Sequence, residues 1–73
     1  MEKSAQLERL ALALSHVAQS EEVVNRQRNL IRQLERDGHP TDLAISLLRE
    51  FEHALRLQRE DLVRIRGTLA DPS

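Results

Sequence analysis

The sequence lacks cysteine, tryptophan and tyrosine, and Phe51 is its only aromatic residue among 73. Without cysteine, the chain can form no disulfide, no thiolate zinc site and no thiol nucleophile. The scarcity of aromatic residues, together with only two glycines and two prolines, excludes a β-rich domain, which needs aromatic strands and many turn residues. The composition therefore favours an all-α protein.

Neither sign of charge is in excess, because 11 basic and 12 acidic residues leave a formal net charge of −1. A near-neutral chain gives no reason to expect a polyanion as its partner. No apolar run approaches the roughly 18 residues that a membrane-spanning helix needs. The run from Leu10 to Leu14 is too short for a signal peptide, and His16 interrupts it. We therefore expect a soluble, cytoplasmic protein without a membrane partner.

One cluster of turn residues divides the chain, the segment from Asp37 to Asp42. Gly38 can adopt the left-handed conformation that ends a helix, and Pro40 prevents the helix from continuing. Thr41 is a suitable N-cap for a second helix. Both flanking segments are rich in strong helix formers. The sequence thus predicts a single domain with helix 1 over about residues 4–37, a turn over 38–41, helix 2 over about 42–68 and a frayed C-terminus over 69–73.

Apolar residues recur at alternating intervals of four and three positions in both predicted helices, as in a coiled coil. We call the resulting stripe the seam. On helix 2 it consists of Ala44, Leu48, Phe51, Leu55, Gln58, Leu62, Ile65 and Leu69, and on helix 1 of Leu7, Leu10, Leu14, Val17, Glu21, Val24, Arg28, Ile31 and Glu35. If the chain folds back at residues 39–40, antiparallel partners have numbers that sum to about 79. Most layers then pair apolar side chains, which predicts an antiparallel two-helix hairpin.

Two layers of this predicted seam are polar. Glu21 falls opposite Gln58, where the two side chains can share a hydrogen bond. Arg28 falls opposite Phe51, where the guanidinium can lie over the aromatic ring. Polar seam residues commonly fix register and partner choice at some cost in stability. We interpret these layers in that way, with a buried polar site for a ligand or partner as the alternative.

A second apolar stripe runs beside the seam. It consists of Val23, Gln27, Leu30 and Leu34 on helix 1 and of Leu43, Leu47, Ala54 and Leu57 on helix 2. A lone hairpin exposes much of its apolar surface and seldom offsets its conformational entropy. We therefore predict a homodimer, in which two hairpins form a four-helix bundle through this stripe. Docking onto a different, unidentified protein is the alternative.

The residue patterns predict no enzyme, no cofactor and no metal site. Glu50 and His53 have the Glu-x-x-His spacing of di-metal sites in four-helix bundles. However, helical geometry directs both side chains away from the seam. The facing part of helix 1 offers arginine, glutamine and asparagine instead of the carboxylates that such metals prefer. The main prediction is thus a non-enzymatic interaction or adaptor module that acts as a homodimer.

An RNA-binding hairpin is the alternative function. The basic residues of the chain concentrate near the end of helix 1, at Arg26, Arg28, Arg32 and Arg36. An arginine-rich helical face can attract RNA, but Glu35 and Asp37 interrupt this one, and stacking aromatics are missing. Nucleic acid is therefore the less favoured partner.

Several segments resemble a group of short, uncharacterised bacterial proteins. They are Arg26-Gln27-Arg28, Leu34-Glu35-Arg36-Asp37-Gly38-His39, Leu47-Leu48, Phe51-Glu52 and Leu55-Arg56-Leu57. The resemblance covers about residues 16–60 and is most specific in the turn, which in that group usually reads Asp-Gly-His-Asp-Thr. Pro40 stands here in place of the usual Asp. The resemblance implies a small helical hairpin and no catalytic residue.

Overall fold

A computed structural model describes residues 2–70 of the chain, with side chains described for residues 3–69. Two α-helices, α1 (Glu2–Arg36) and α2 (Asp42–Ala70), lie side by side in opposite directions. The hairpin measures 57 × 14 × 13 Å. Its radius of gyration of 16.8 Å exceeds the roughly 11 Å of a globular domain of this length. The predicted all-α hairpin is confirmed, and it is strongly elongated.

Both helices extend further outward than their sequence patterns predict. α1 begins at Glu2 and α2 runs to Ala70, two residues beyond each predicted outer limit. Leu69 belongs to the segment 69–73 for which the sequence predicts fraying, but it is helical and half-buried. Its apolar side chain lies on the seam of α2, and burial of a seam residue stabilises the last turn of a helix. Residues 71–73 lie outside the described residues.

α1 ends in the hydrogen bonds of a Schellman motif. Gly38 has a φ of 72°, in the left-handed region that favours glycine. Its N–H donates to the carbonyl of Glu35 at 3.2 Å, and the N–H of His39 donates to the carbonyl of Leu34 at 2.9 Å. These two bonds satisfy carbonyl groups that the end of a helix would otherwise leave without a partner.

α2 begins directly after the turn. The carbonyl of Thr41 accepts the N–H of Ile45 at 2.9 Å, as expected of an N-cap residue. Pro40 has no N–H to donate and so keeps α1 from continuing. Asp42 places a negative charge in the first turn of α2, at the positive end of the helix dipole. The turn thus both ends one helix and starts the next.

We expect alanine substitution at the two glycines to change stability in opposite directions. Gly38→Ala should lower the free energy of unfolding by about 1–2 kcal/mol, because an L-residue is strained at positive φ. Gly67→Ala should raise it by about 0.5–1 kcal/mol, because alanine favours the helix interior. A Cβ at either glycine would meet no atom within 4 Å, so conformation alone decides the sign. Urea unfolding followed by circular dichroism measures both changes, and effects of the same sign would contradict this account of the turn.

The structure confirms the seam of α2. Ala44, Leu55 and Leu62 are buried. The other five seam positions, Leu48, Phe51, Gln58, Ile65 and Leu69, are half-buried. An unbroken alternation of four-residue and three-residue steps therefore faces α1 along the whole of α2.

The seam of α1 requires a correction at every second position. Leu10, Val17, Val24 and Ile31 line it as predicted. Between them the structure places Gln6, Ala13, Ser20, Gln27 and Leu34, each one residue before the predicted Leu7, Leu14, Glu21, Arg28 and Glu35. Residues three and four positions after a given residue lie on the same face of a helix, so spacing alone does not choose between the two sets.

The cost of burying charge explains which set faces α2. The predicted seam would place Glu21, Arg28 and Glu35 against α2, and each would lose part of its hydration. The observed seam contains only uncharged side chains at these layers. The rotation leaves Leu14 42% exposed, which forgoes part of the roughly 1.5–3 kcal/mol gained by fully burying a leucine. Keeping three charges in water outweighs that loss.

Candidate interaction surface

The corrected seam leaves two edges along the hairpin, one on each side. On a helix, residues two positions apart are separated by about 160° around the axis. Glu21 and Val23 of α1 therefore lie on opposite sides of the seam residue Val24, and so do Glu52 and Ala54 of α2 relative to Leu55. The two edges carry different chemistry.

The first edge carries ion pairs between the helices, and we call it the charged edge. Arg59 donates to Glu21 at 3.2 Å, and Arg28 donates to Glu52 at 3.0 Å. The residue numbers of each pair sum to 80, close to the predicted register. Both arginine side chains remain more than half exposed, so each pair contributes about 0.2–1 kcal/mol at most. These four charges are thus paired within the hairpin, while Leu7 and Leu14, 53% and 42% exposed, lie on the same side toward the chain ends.

Exchanging the charges of one pair tests this edge. Arg28→Glu should lower the free energy of unfolding by about 0.5–1 kcal/mol, because it places two carboxylates where an ion pair stood. The double variant Arg28→Glu, Glu52→Arg should recover most of that loss, since glutamate and arginine favour helices about equally. Chemical denaturation of these two variants and of the single variant Glu52→Arg completes a double-mutant cycle. The cycle gives the coupling free energy between residues 28 and 52. A coupling of zero would show that the pair does not form in solution.

The structure corrects both predicted polar layers. Gln58 lies in the seam but accepts its hydrogen bond from Ser20, not from Glu21. Phe51 packs against the apolar core, whereas Arg28 reaches Glu52 at the charged edge. Because α1 is rotated by one position relative to the prediction, Glu21 and Arg28 lie beside the seam and not in it.

Two polar side chains tie the helices together inside the seam. Ser20 donates to the Oε1 atom of Gln58, near the middle of the hairpin. Gln27 donates through Nε2 to the carbonyl of Ala44 at 2.9 Å, closer to the turn. Every buried side-chain polar atom of the described residues has a partner. These hydrogen bonds therefore hold the two helices together, and neither layer leaves an unsatisfied polar group for a ligand to bind.

The second edge is apolar in the half of the hairpin next to the turn. Val23 and Leu30 of α1 are 38% and 43% exposed, and Leu47, Leu57 and Leu43 of α2 are 37%, 52% and 76% exposed. With the half-buried Ala54, these six residues form what we call the apolar edge. All six belong to the stripe predicted for an interface. The other two predicted members, Gln27 and Leu34, lie in the seam instead.

Farther from the turn, the same edge becomes largely polar, and Leu12, 59% exposed, is the apolar residue that lines it beside Arg9 and His16. Arg9 and His16 of α1 and Asp61 and Thr68 of α2 are exposed there. They line shallow grooves of about 140 and 150 Å³, which share Asp61. The small side chain of Ala13 in the seam leaves this space between the helices. We call this region the polar groove.

The four arginines predicted as a basic face do not share one face. Arg26 pairs with Glu22, and Arg28 pairs with Glu52. Arg28, Arg32 and Arg36 follow one another at about 40° steps, whereas Arg26 lies about 160° from Arg28. Half of the predicted positive charge is therefore neutralised by carboxylates, and one arginine points elsewhere.

The Glu-x-x-His motif lies on the surface of α2, where both Glu50 and His53 are exposed. Within residues 2–70, three or more histidine, aspartate or glutamate side chains nowhere gather closely enough to hold a metal ion. Neither described helix contains an apolar stretch long enough to cross a lipid bilayer.

Comparisons of the chain with known protein families, with curated proteins and with solved structures find no match. The function must therefore be inferred from the two edges and the core between them.

Proposed function

We propose that this chain is a non-enzymatic interaction module that works as a homodimer, with two hairpins forming a four-helix bundle in the cytoplasm. The observation that carries the proposal is the difference between the two edges. In the half of the hairpin next to the turn, one edge pairs its charges within the hairpin, whereas the other exposes leucine and valine side chains. The apolar edge is the contact surface, and the second hairpin covers it.

The small core of one hairpin supports the proposal that a second copy stabilises the fold. Seven side chains of the described residues are buried, and they are all apolar: Ala13, Val17, Val24, Ile31, Ala44, Leu55 and Leu62. Two of the seven are alanines, and none of the described large side chains is fully buried. A stable domain packs at least two layers around a core, and chains of this size rarely reach stability with one thin layer of contacts. Dimerisation would supply the missing layer.

The exposed leucines of the apolar edge also favour contact with another chain over exposure to water. Single apolar residues scattered over a surface are normal, but contiguous apolar patches mark interaction sites. The edge combines Leu30 of α1 with Leu47 and Leu57 of α2 on one side of the hairpin. Because a twofold dimer presents the same patch from both copies, a patch of this kind is complementary to itself.

The resemblance to short bacterial hairpin proteins fits this proposal. Its most specific segment contains Gly38 and His39, which form the Schellman hydrogen bonds of the turn. The segment therefore has a structural role, and we propose that the likeness reflects a shared hairpin instead of a shared activity.

Unfolding at different protein concentrations tests the proposal. If folding is coupled to dimerisation, the midpoint of thermal unfolding should rise with chain concentration. A rise of several degrees between about 2 and 200 μM is expected for a small dimer. The charged-edge variant Arg28→Glu serves as a control, since it lowers the midpoint without removing its concentration dependence. A midpoint that stays constant would contradict the homodimer.

A further inference from the structure

The edge that faces the second copy is divided along its length, and this division bears on how the two hairpins are oriented. The half next to the turn is apolar, with Val23, Leu30 and Leu47 at its centre. The half next to the chain ends is the polar groove, with Arg9 and Asp61. The edge therefore has a direction.

We propose that the two hairpins lie parallel, with both turns at the same end of the four-helix bundle. This inference rests on the homodimer proposed above and adds the orientation of its two copies. In this arrangement, each half of the edge meets the same half of the second copy. Leucine packs on leucine, and polar groove lies on polar groove along the whole length of the hairpin.

The antiparallel orientation places apolar groups of one copy against charged groups of the other. In a full-length antiparallel pair, Leu30 and Leu47 of one copy would cover Arg9 and Asp61 of the other. Both charges would lose water, and the leucines would offer Arg9 no partner of opposite sign, whereas Asp61 would keep its ion pair with Arg64. Sliding the copies until only their apolar halves overlap avoids this loss. That shift, however, leaves much of the 57 Å length of each hairpin without contact.

The polar groove also suits a second copy of itself. It contains the basic Arg9 together with Asp61 and Arg64, which form an ion pair at 3.9 Å within α2, so it carries both signs of charge. A twofold axis parallel to the helices brings α1 of one copy beside α2 of the other at the same height. Arg9 or His16 of one copy then lies near the height of Asp61 of the second copy along the bundle axis. Complementary charge favours this pairing and discriminates against a shifted one.

Distances between spin labels test the orientation directly. The chain contains no cysteine, so Ser4→Cys and His39→Cys each introduce a single labelling site, one near the chain ends and one in the turn. Both positions are exposed in the hairpin. With one label per chain, pulsed dipolar spectroscopy detects only distances between copies.

The parallel dimer predicts short distances for both labelled variants. Helices in a bundle lie about 8–10 Å apart, so each label pair should be separated by roughly 20–35 Å. Distances of about 45 Å or more in a chain of dimeric mass would overturn the parallel orientation while leaving the homodimer intact, because opposite ends of the hairpin are 57 Å apart. A monomeric mass with no dipolar signal would overturn the homodimer and the orientation together.

Discussion

Replacing Leu55 with alanine should lower the free energy of unfolding by about 2–5 kcal/mol. Leu55 is buried, with 6% of its surface exposed, and it packs in the apolar cluster with Val17, Val24 and Leu62. The truncation removes buried methyl groups and leaves a cavity that long, regular helices cannot readily close. Since small domains have about 5–15 kcal/mol of stability in total, this one substitution should remove a large part of it.

The control for this variant is Leu7→Ala, which makes the same chemical change at a side chain that is 53% exposed. A substitution outside the core should change stability by no more than about 0.5 kcal/mol. Both variants are to be unfolded with urea at one fixed chain concentration, because the stability of a dimer depends on it. Equal losses in the two variants would mean that Leu55 is not in the core.

The second large effect is expected at the apolar edge. Leu30→Glu should weaken the proposed homodimer by at least about 100-fold, equivalent to roughly 2.7 kcal/mol. The new carboxylate would be placed against the leucines of the second copy, where it loses water and gains no partner. In the isolated hairpin Leu30 is 43% exposed, so the glutamate can reach water there and the helices should still form. Sedimentation velocity measures the dissociation constant, and circular dichroism measures the retained helix.

Val63→Glu is the matched control for this variant. Val63 is 69% exposed, belongs to α2 and is not part of the apolar edge. The same charge at this position should leave the dissociation constant within a few-fold of that of the unmodified chain. If both glutamate variants weakened the dimer equally, the apolar edge would not be its contact surface.

The hairpin and the whole seam of α2 could be predicted from the sequence, since local signals agree there with the tertiary structure. Gly38 and Pro40 interrupt an otherwise helical chain, and the apolar spacing of α2 has one reading. Because the side chains from Ala44 to Leu69 on that stripe are almost all apolar, no other rotation of the helix would bury them.

The rotation of α1 could not be predicted from spacing, because two stripes compete on that helix. Leu14 is more apolar than Ala13, which favours the wrong stripe when hydrophobicity alone is counted. The correct stripe is selected by Glu21 and Arg28, whose charges stay at the surface and pair with α2. The sequence does contain the information for those pairs. The oppositely charged residues of α2, Glu52 and Arg59, have numbers that sum to 80 with those of Arg28 and Glu21.

The apolar edge was predicted more accurately than the seam that it borders. Six of its eight predicted members are on it, whereas Gln27 and Leu34 belong to the seam. Both misplaced residues sit on the border between the two stripes, where one step of helix rotation decides which way a side chain faces. The division of the edge into an apolar half and a polar groove became visible only once α2 had been placed beside α1.

The central claim is that a second copy of this chain covers the apolar edge, and the mass of the chain in solution tests it most directly. Sedimentation equilibrium between about 1 and 100 μM should approach twice the chain mass of 8.4 kDa as the concentration rises. The Leu30→Glu variant should remain near the mass of one chain over the same range. A mass of one chain for the unmodified protein at the highest concentration would contradict the claim.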